Sequence, residues 1–154
     1  MKILIAVDGS EFSQEAVREV ARRQWPVGSE VRVSAVIKLP FVPTAETRSL
    51  PESDYSRLER ELTAQAQQAV AAAQTTLAAA RTVTGEPLAF SSGIVIGNPN
   101  EVLLAEAQAW QADLLVVGAR GLGGFKRLIL GSVSQTLAQQ APCSVLIVRG
   151  SEAA

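Results

Sequence analysis

Histidine is absent from this sequence, and Cys143 is the single cysteine among its 154 residues. These absences exclude Ser-His-Asp hydrolysis, Cys-His nucleophiles and zinc sites of the ordinary type. One cysteine cannot form an internal disulfide, so we expect a reducing, cytoplasmic location. Cys143 stands at the start of an apolar strand, and we expect it to be an inert buried thiol. Any catalysis would have to use carboxylates, Lys, Arg or Ser.

The sequence also lacks an excess of charge and a long apolar run. Lys and Arg total 14, Asp and Glu total 15, and the formal net charge is −1. This balance predicts neither nucleic acid nor an anionic membrane as a partner. No apolar stretch approaches the length of a membrane span, and the N-terminal one is too short for a signal peptide. The composition, 47% hydrophobic and 19% charged, is typical of a single folded domain, here residues 1–154.

Hydrophobic periodicity predicts strands that alternate with helices. The expected strands cover residues 2–8, 30–38, 88–96, 113–117 and 144–148. The expected helices run from Ser10 or Ser13 to near Trp25, over 54–82, from the cap Asn98 to Trp110, and from Ser132 to Pro142. This alternation predicts an α/β fold with an open, doubly wound, Rossmann-like sheet of five parallel strands and helices on both faces.

Two further segments have their own patterns. Residues 40–53 contain three prolines and little periodicity, which predicts a loop, and residues 151–154 are expected to be a frayed tail. The helix expected over 54–82 has an apolar stripe that is compatible with a coiled-coil seam. Its second half is alanine, which favours close packing on a sheet instead.

The stretch from Asp113 to Ser134 contains the strongest functional signal. Gly118 and Gly121 follow an apolar strand, and Gly131 and Ser132 open the final helix. Glycines at the end of a strand let backbone N–H groups approach a ligand, and the N-terminus of a helix favours negative charge. Glycines in loops and serines at helix starts are also common without ligands. The combined pattern predicts a cradle for the phosphates of a nucleotide.

Several residues near this cradle are candidate phosphate ligands. Arg120, Lys126 and Arg127 lie between the two glycine clusters, although such cations can equally form a solvated loop face. Val133 and Ser134 follow Ser132 in the first turn of the helix, where backbone N–H groups lack intrahelical partners. We expect the hydroxyl groups of Ser132 and Ser134 to be better candidates than the cations, because the helix start determines their positions.

Two better-known phosphate motifs are absent. A P-loop requires Lys and then Ser or Thr directly after its second glycine, and no glycine here is followed in that way. The dinucleotide fingerprint belongs after the first strand, where this chain has Asp8-Gly9-Ser10-Glu11. The sequence therefore fits neither a P-loop NTPase nor an NAD enzyme.

Four segments are expected to meet at one edge of the sheet. Asp8, Val36, Gly97 and Gly118 all fall at the carboxyl ends of expected strands, where ligands of doubly wound sheets bind. Asp8 is either a cap or turn former, or a ligand of ribose hydroxyls or of a water-coordinated divalent cation. Val36 is by default a core residue. The side chains of Ala6 and Val7, just before Asp8, are expected to wall the base of the bound nucleotide.

The spacing Gly118-x2-Gly121-x9-Gly131-Ser132 resembles the ATP-binding signature of the universal stress protein family. KILIAVDGS at residues 2–10 and PCSVLIVR at 142–149 resemble the first and last strands of that family. The resemblance implies strand order 3-2-1-4-5, ATP as the ligand with or without Mg²⁺, Asp8 at the nucleotide site, and the backbone of Val36 at the adenine edge. It also implies a homodimer formed through the last strand, at Val145, Leu146, Ile147 and Val148.

The sequence leaves more than one function open. The leading interpretation is a cytoplasmic, ATP-binding sensor or regulator of the stress response rather than a turnover enzyme. The alternatives are a slow ATPase or autophosphorylating enzyme, a dimeric interaction module without nucleotide, and an adenine-nucleotide domain of a larger enzyme such as an electron-transfer flavoprotein. No residue is assigned a catalytic or direct metal-binding role. The candidate nucleotide-binding residues are Ala6, Val7, Asp8, Val36, Gly97, Gly118, Arg120, Gly121, Gly131, Ser132, Val133 and Ser134.

Overall fold

The computed structural model describes residues 1–40, 52–122 and 130–150. Strands and helices alternate along most of this part of the chain. The elements are β1 (Lys2–Val7), α1 (Glu11–Arg22), β2 (Gln24–Trp25), β3 (Glu30–Ile37), α2 (Glu52–Leu77), β4 (Arg81–Thr82), β5 (Ala89–Ile96), α3 (Pro99–Ala109), β6 (Leu114–Gly118), α4 (Ser132–Gln140) and β7 (Ser144–Val148). Much of the expected loop at 40–53 and the whole expected tail at 151–154 lie outside the described residues.

The main sheet confirms the predicted fold class. Its five strands pair in the order β5-β3-β1-β6-β7, and every pairing is parallel. When the two-residue strands β2 and β4 are left out, this order is 3-2-1-4-5. The order reverses direction between β1 and β6, so the carboxyl ends of these neighbours frame the crevice in which such folds bind ligands.

Helices cover both faces of the sheet, and each face has its own apolar core. The first face is covered by α1 and α2, whose buried side chains include Val17, Val20 and Leu77. The second face is covered by α3 and α4, with Leu103 and Leu137 buried against Leu115. Successive residues of a strand point to opposite faces and therefore enter different cores, as expected for a sheet buried on both faces.

The predicted boundary of the long helix was wrong. The helix begins at Glu52 and ends at Leu77, rather than covering residues 54–82. Arg81–Thr82 instead pairs with Gln24–Trp25 in a separate two-stranded parallel sheet. The same pairing ends α1 at Arg22, before the expected boundary near Trp25.

The core-packing interpretation of α2 holds for its second half. Ala69, Ala73 and Leu77 are buried in the core on the α1 side of the sheet. The two alanine side chains let the helix axis approach the strands closely. No helix within the described ranges is both long enough and apolar enough to cross a membrane.

Candidate functional site

A cavity of about 540 Å³ opens at the carboxyl ends of β3, β1 and β6. This is the edge of the sheet at which the sequence predicted a ligand. Its lining combines the ends of three strands with the start of α3 and the start of α4. The described residues that line it are Ala6, Val7, Asp8, Ser13, Ser34, Val36, Pro99, Leu103, Val117, Gly118, Arg120, Gly121, Leu122, Gly131, Ser132, Val133 and Ser134.

Eleven of the twelve candidate residues line this one cavity. Gly97 is the exception among the described residues. A Cβ at Gly97 would lie 2.8 Å from Cγ2 of Val102, so this glycine accommodates a side chain of the following helix. Lys126 and Arg127, which were also considered as phosphate ligands, lie outside the described residues.

The carboxylate of Asp8 joins the end of β1 to the first glycine cluster. Its Oδ1 accepts a hydrogen bond from Ser10 N at 2.9 Å, and its Oδ2 accepts one from Leu122 N at 3.0 Å. The first bond is the turn-forming role considered for Asp8, and it precedes the cap at Ser10, whose hydroxyl accepts from Ser13 N. The second bond was not predicted. Asp8 therefore orders the loop beside the cavity, whatever else it contacts.

Gly118 and Gly121 are required for different close contacts. A Cβ at Gly121 would lie 2.5 Å from Oδ2 of Asp8, so only glycine allows the carboxylate to reach Leu122 N. A Cβ at Gly118 would lie 2.6 Å from the carbonyl carbon of Phe12. Gly118 thus lets β6 pack against the backbone of α1. Gly118 also lines the cavity.

Hydrogen bonds to the carbonyl oxygen of Ala119 join the second glycine cluster, Gly131 and Ser132, to the first, Gly118 and Gly121. Gly131 N donates to this oxygen at 2.7 Å, and the buried hydroxyl of Ser134 lies 2.9 Å from it. The same hydroxyl lies 2.9 Å from the carbonyl oxygen of Gly131. A hydroxyl has one proton to donate, and here it is donated to protein carbonyls. The side chain of Ser134 is thus directed to protein carbonyls in this structure, and its contact with phosphate stays a prediction, as does that of its backbone N–H.

The N-terminus of α4 has no side-chain cap. Gly131 is the N-cap residue, and the first turn contains no acidic side chain. The first intrahelical bond is donated by Gln135 N to Gly131 O at 3.0 Å. The N–H groups of Ser132, Val133 and Ser134 precede this bond, so they lack intrahelical acceptors at the wall of the cavity. Their dipoles favour an anion there.

Arg120 is at the cavity wall but also packs on α1. Its guanidinium carbon lies 5.1 Å from the centre of the Phe12 ring, within the range of a cation–π contact. Its carbonyl oxygen accepts a bond from Ser10 Oγ at 3.4 Å. The loop backbone at Arg120 is thus attached to the α1 start, and its role toward phosphate stays a prediction.

Sequence reasoning missed several lining residues. Pro99, Leu103 and Val117 were not among the candidates, because apolar residues that line a cavity and apolar residues of the core have the same pattern in a sequence. Ser34 was missed although it is a hydroxyl within the apolar run of β3, which is the one signal that would have found it. Ser13 was considered only as a cap.

The sequence model of the universal stress protein family matches residues 1–149. This chain belongs to the universal stress protein family. A curated relative, the universal stress protein in the QAH/OAS sulfhydrylase 3' region of Thermus aquaticus, is 33% identical over 150 residues. The match covers 96% of this chain and 97% of the relative. The family assignment thus applies to nearly the whole length of both proteins.

Solved structures of universal stress proteins share the fold. The universal stress protein UspA from Lactobacillus plantarum matches with a TM-score of 0.75 at 24% identity, covering 97% of each chain. A universal stress protein in complex with cAMP matches with a TM-score of 0.62 at 21% identity, covering 97% of this chain and 96% of that one. An Arabidopsis thaliana family protein with AMP bound also has a TM-score of 0.62, at 16% identity, covering 99% and 93%.

This universal stress protein has a second cavity, of about 510 Å³, between α1 and α2. It shares Val7, Asp8, Ser13 and Leu122 with the first cavity, and its other walls carry Gln14, Arg18, Gln65, Gln68 and Thr76. None of its described lining residues belongs to the start of α4. The feature that favours an anion is therefore restricted to the first cavity, which we take as the candidate site.

Proposed function

We propose that this universal stress protein binds ATP in the cavity at the carboxyl ends of β3, β1 and β6. The observation that carries the proposal is the start of α4, which presents three backbone N–H groups to a cavity and has no side-chain cap. The bond between Gly131 N and Ala119 O holds this start beside the first glycine cluster. Two groups of glycine-rich backbone at one cavity suit an extended polyphosphate better than a single phosphate.

The other end of the cavity suits a base. Ala6 and Val36 belong to β1 and β3, which lie further from α4 than β6 does, and Leu103 and Val117 add to the apolar lining of the cavity. A volume of about 540 Å³ lies within the range of ligand sites. The solved family structures with AMP and cAMP support an adenine nucleotide in this fold. We infer a triphosphate rather than a monophosphate from the two glycine clusters at the cavity.

Binding rather than turnover is the better-supported activity. Asp8 is the one carboxylate among the described residues that line the cavity, and both of its oxygens already accept backbone hydrogen bonds. Such a carboxylate is poorly suited to take a proton from an attacking water. It retains lone pairs that suit a Mg²⁺-bound water, since Mg²⁺ usually takes one or two carboxylates and the nucleotide phosphates. We therefore propose a nucleotide-dependent sensor or regulator in the cytoplasm.

The proposed functional unit is a homodimer formed through β7. This strand is at the edge of the sheet and pairs only with β6 among the described strands. Val145, Leu146 and Ile147 are half-buried, and an apolar edge strand is a liability unless another chain pairs with it or covers it. A second copy of the same strand would satisfy its free backbone groups.

Mass spectrometry of the ligand released from freshly purified, denatured protein tests the proposal directly. It is complemented by calorimetric titration with ATP, ADP, AMP and cAMP, with and without Mg²⁺. We expect ATP to bind more tightly than AMP, with phosphate release at a background rate. Absence of nucleotide and of any binding at millimolar concentration would contradict the proposal and favour the interaction module. Steady phosphate release, or label transferred to the protein from γ-labelled ATP, would favour the slow enzyme.

A further inference from the structure

One polar side chain in the candidate site has no partner. Ser34 is 1% exposed, lines the cavity and belongs to β3, an interior strand of the sheet. Its Oγ is buried and has no hydrogen-bond partner among the described residues. Buried hydroxyl groups are normally paired, because desolvation without a hydrogen bond is unfavourable. An unpaired one at a cavity wall indicates a position prepared for a ligand atom.

The neighbours of Ser34 leave room for a flat group. In the register of the sheet, Ser34 lies between Ala6 of β1 and Gly93 of β5. A Cβ built at Gly93 would meet no atom within 4 Å, so the space on that side is open. Ala6 and Ser34 line the cavity with small side chains, and Gly93 on the edge strand beyond them has no side chain that could narrow it. The surroundings of Ser34 are apolar, with Val36 and Leu103 also at the wall.

The position of Ser34 in the cavity determines which part of a nucleotide it meets. Ser34 is on β3, whereas the glycine loop and α4 adjoin β6, with β1 between the two strands. Neighbouring strands are about 4.8 Å apart, so these two ends of the cavity are separated by about 10 Å. If phosphate occupies the α4 end, the heterocyclic base occupies the end at Ser34. This step rests on the proposed function.

The geometry points to Ser34 as a specificity-determining residue, whose hydroxyl hydrogen-bonds a ring nitrogen or the exocyclic amine of the bound base. A hydroxyl can donate and accept, so it can serve either atom. In a wall that is otherwise apolar, a single polar contact fixes the orientation of the ring. A base lacking the matching atom would leave the hydroxyl unpaired and bind less well.

The test is a pair of matched substitutions, Ser34→Ala and Ser29→Ala. Ser29 is also buried, at 3% exposure, and its Oγ also lacks a partner among the described residues, but it does not line the cavity. Calorimetry measures the binding of ATP, of its 1-, 3- and 7-deaza and 6-desamino analogues, and of inorganic tripolyphosphate. We expect Ser34→Ala to weaken ATP binding about five- to tenfold, as for the loss of one hydrogen bond. Ser29→Ala should bind as the wild type does.

Two readouts identify the contact as one to the base. Tripolyphosphate should bind to the wild type and to Ser34→Ala equally. One analogue should bind to the wild type less tightly than ATP does, whereas Ser34→Ala should bind that analogue and ATP with equal affinity. Equal ATP binding by wild type and Ser34→Ala would overturn this inference alone, while failure of the wild type to bind ATP would overturn the proposed function too. Without ligand, Ser34→Ala should be at least as stable as Ser29→Ala. A lower melting temperature would reveal a structural partner and also overturn the inference.

Discussion

The carboxylate of Asp8 accepts a hydrogen bond from the backbone N–H of Leu122 at 3.0 Å, although 114 positions separate the two residues. The contact joins the end of β1 to the loop that follows β6, across the point where the strand order reverses. It is possible only because Gly121 has no Cβ. The glycine spacing of the signature therefore has a structural function in addition to any role with ligand.

Removing the Asp8 carboxylate is expected to destabilise the protein. Asp8→Ala loses two hydrogen bonds to a charged acceptor, and we expect a loss of about 1–3 kcal/mol in the free energy of unfolding. Asp8→Asn should lose less, because the amide oxygen can still accept one bond while its NH₂ group faces the other donor. Urea denaturation of the three proteins measures the difference.

A double-mutant cycle tests whether Gly121 acts through Asp8. Gly121→Ala places a Cβ where Oδ2 of Asp8 lies, so it should destabilise the wild type about as much as Asp8→Ala does. In the Asp8→Ala background, the same substitution should cost little. Additive effects of the two substitutions would show that Gly121 has another partner.

Gly118 should tolerate substitution least. Its Cβ would meet three atoms of Phe12 at 2.6 to 2.8 Å, two of them backbone atoms that cannot rotate away. We expect Gly118→Ala to cost about 1–3 kcal/mol or more, as overpacking does, and to lower the melting temperature with or without nucleotide. A Gly118→Ala protein with wild-type stability but impaired binding would instead assign this glycine to the ligand.

Substitutions at Gly131 should distinguish an effect on stability from an effect on ATP binding. Its φ of −75° suits any residue, and a Cβ would lie 3.4 Å from the nearest atoms, an ordinary contact. Gly131→Ala should therefore stay within about 1 kcal/mol of wild-type stability, in line with modest core changes. Gly131→Leu should fill the space beside the α4 N-terminus and abolish ATP binding in calorimetry. Wild-type affinity in Gly131→Leu would refute our placement of the phosphates.

Substitutions at the two edges of the sheet should affect the dimer differently. We expect light scattering after gel filtration to give a dimer, and Ile147→Lys on β7 to give a monomer. At the other edge, Ile94 of β5 is 36% exposed, so Ile94→Lys is the matched control and should leave the dimer intact. A monomer produced by Ile94→Lys and not by Ile147→Lys would move the interface to β5.

Cys143 should make stability fall at alkaline pH. Burial raises the pKa of the Cys143 thiol above its ordinary value of 9.0, and the charge of Asp113 adds to the increase. The folded state therefore holds this proton more tightly than the unfolded state does. The free energy of unfolding is unaffected by this group below about pH 9 and decreases as the pH rises through the folded-state pKa. Urea denaturation between pH 8 and 11 should show a smaller decrease in Cys143→Ala than in wild type.

The elements of the main sheet were predictable because their signals are local. The strand at Ser144–Val148 was predicted with its observed bounds. A short apolar run between Pro142 and a polar segment is too short for a helix and indicates a strand. The end of α2 was not predictable in this way. Ala78, Ala79 and Ala80 are strong helix formers, yet Ala79 N and Ala80 N bond to carbonyls three residues back, and Arg81 then pairs with the distant Gln24.

The candidate site was predictable in its position and not in its internal bonds. Topology alone brings Asp8 and Val36 to one edge, because parallel strands share the direction of their carboxyl ends. The hydroxyl of Ser134 was expected to contact phosphate, but it bonds protein carbonyls that only the folded loop brings near. Ser34 was missed because the sequence shows a hydroxyl within the apolar run of β3 but does not show that this position faces a cavity.

The two hydrogen bonds to the carbonyl oxygen of Ala119 limit how the protein can be engineered. Its carbonyl oxygen holds both Gly131 N and Ser134 Oγ, so the chain on either side of residues 123–129 is joined at fixed points. Any redesign of this protein therefore has to keep Ala119 and the start of α4 as one unit, because a change that moves either of them breaks both hydrogen bonds at once.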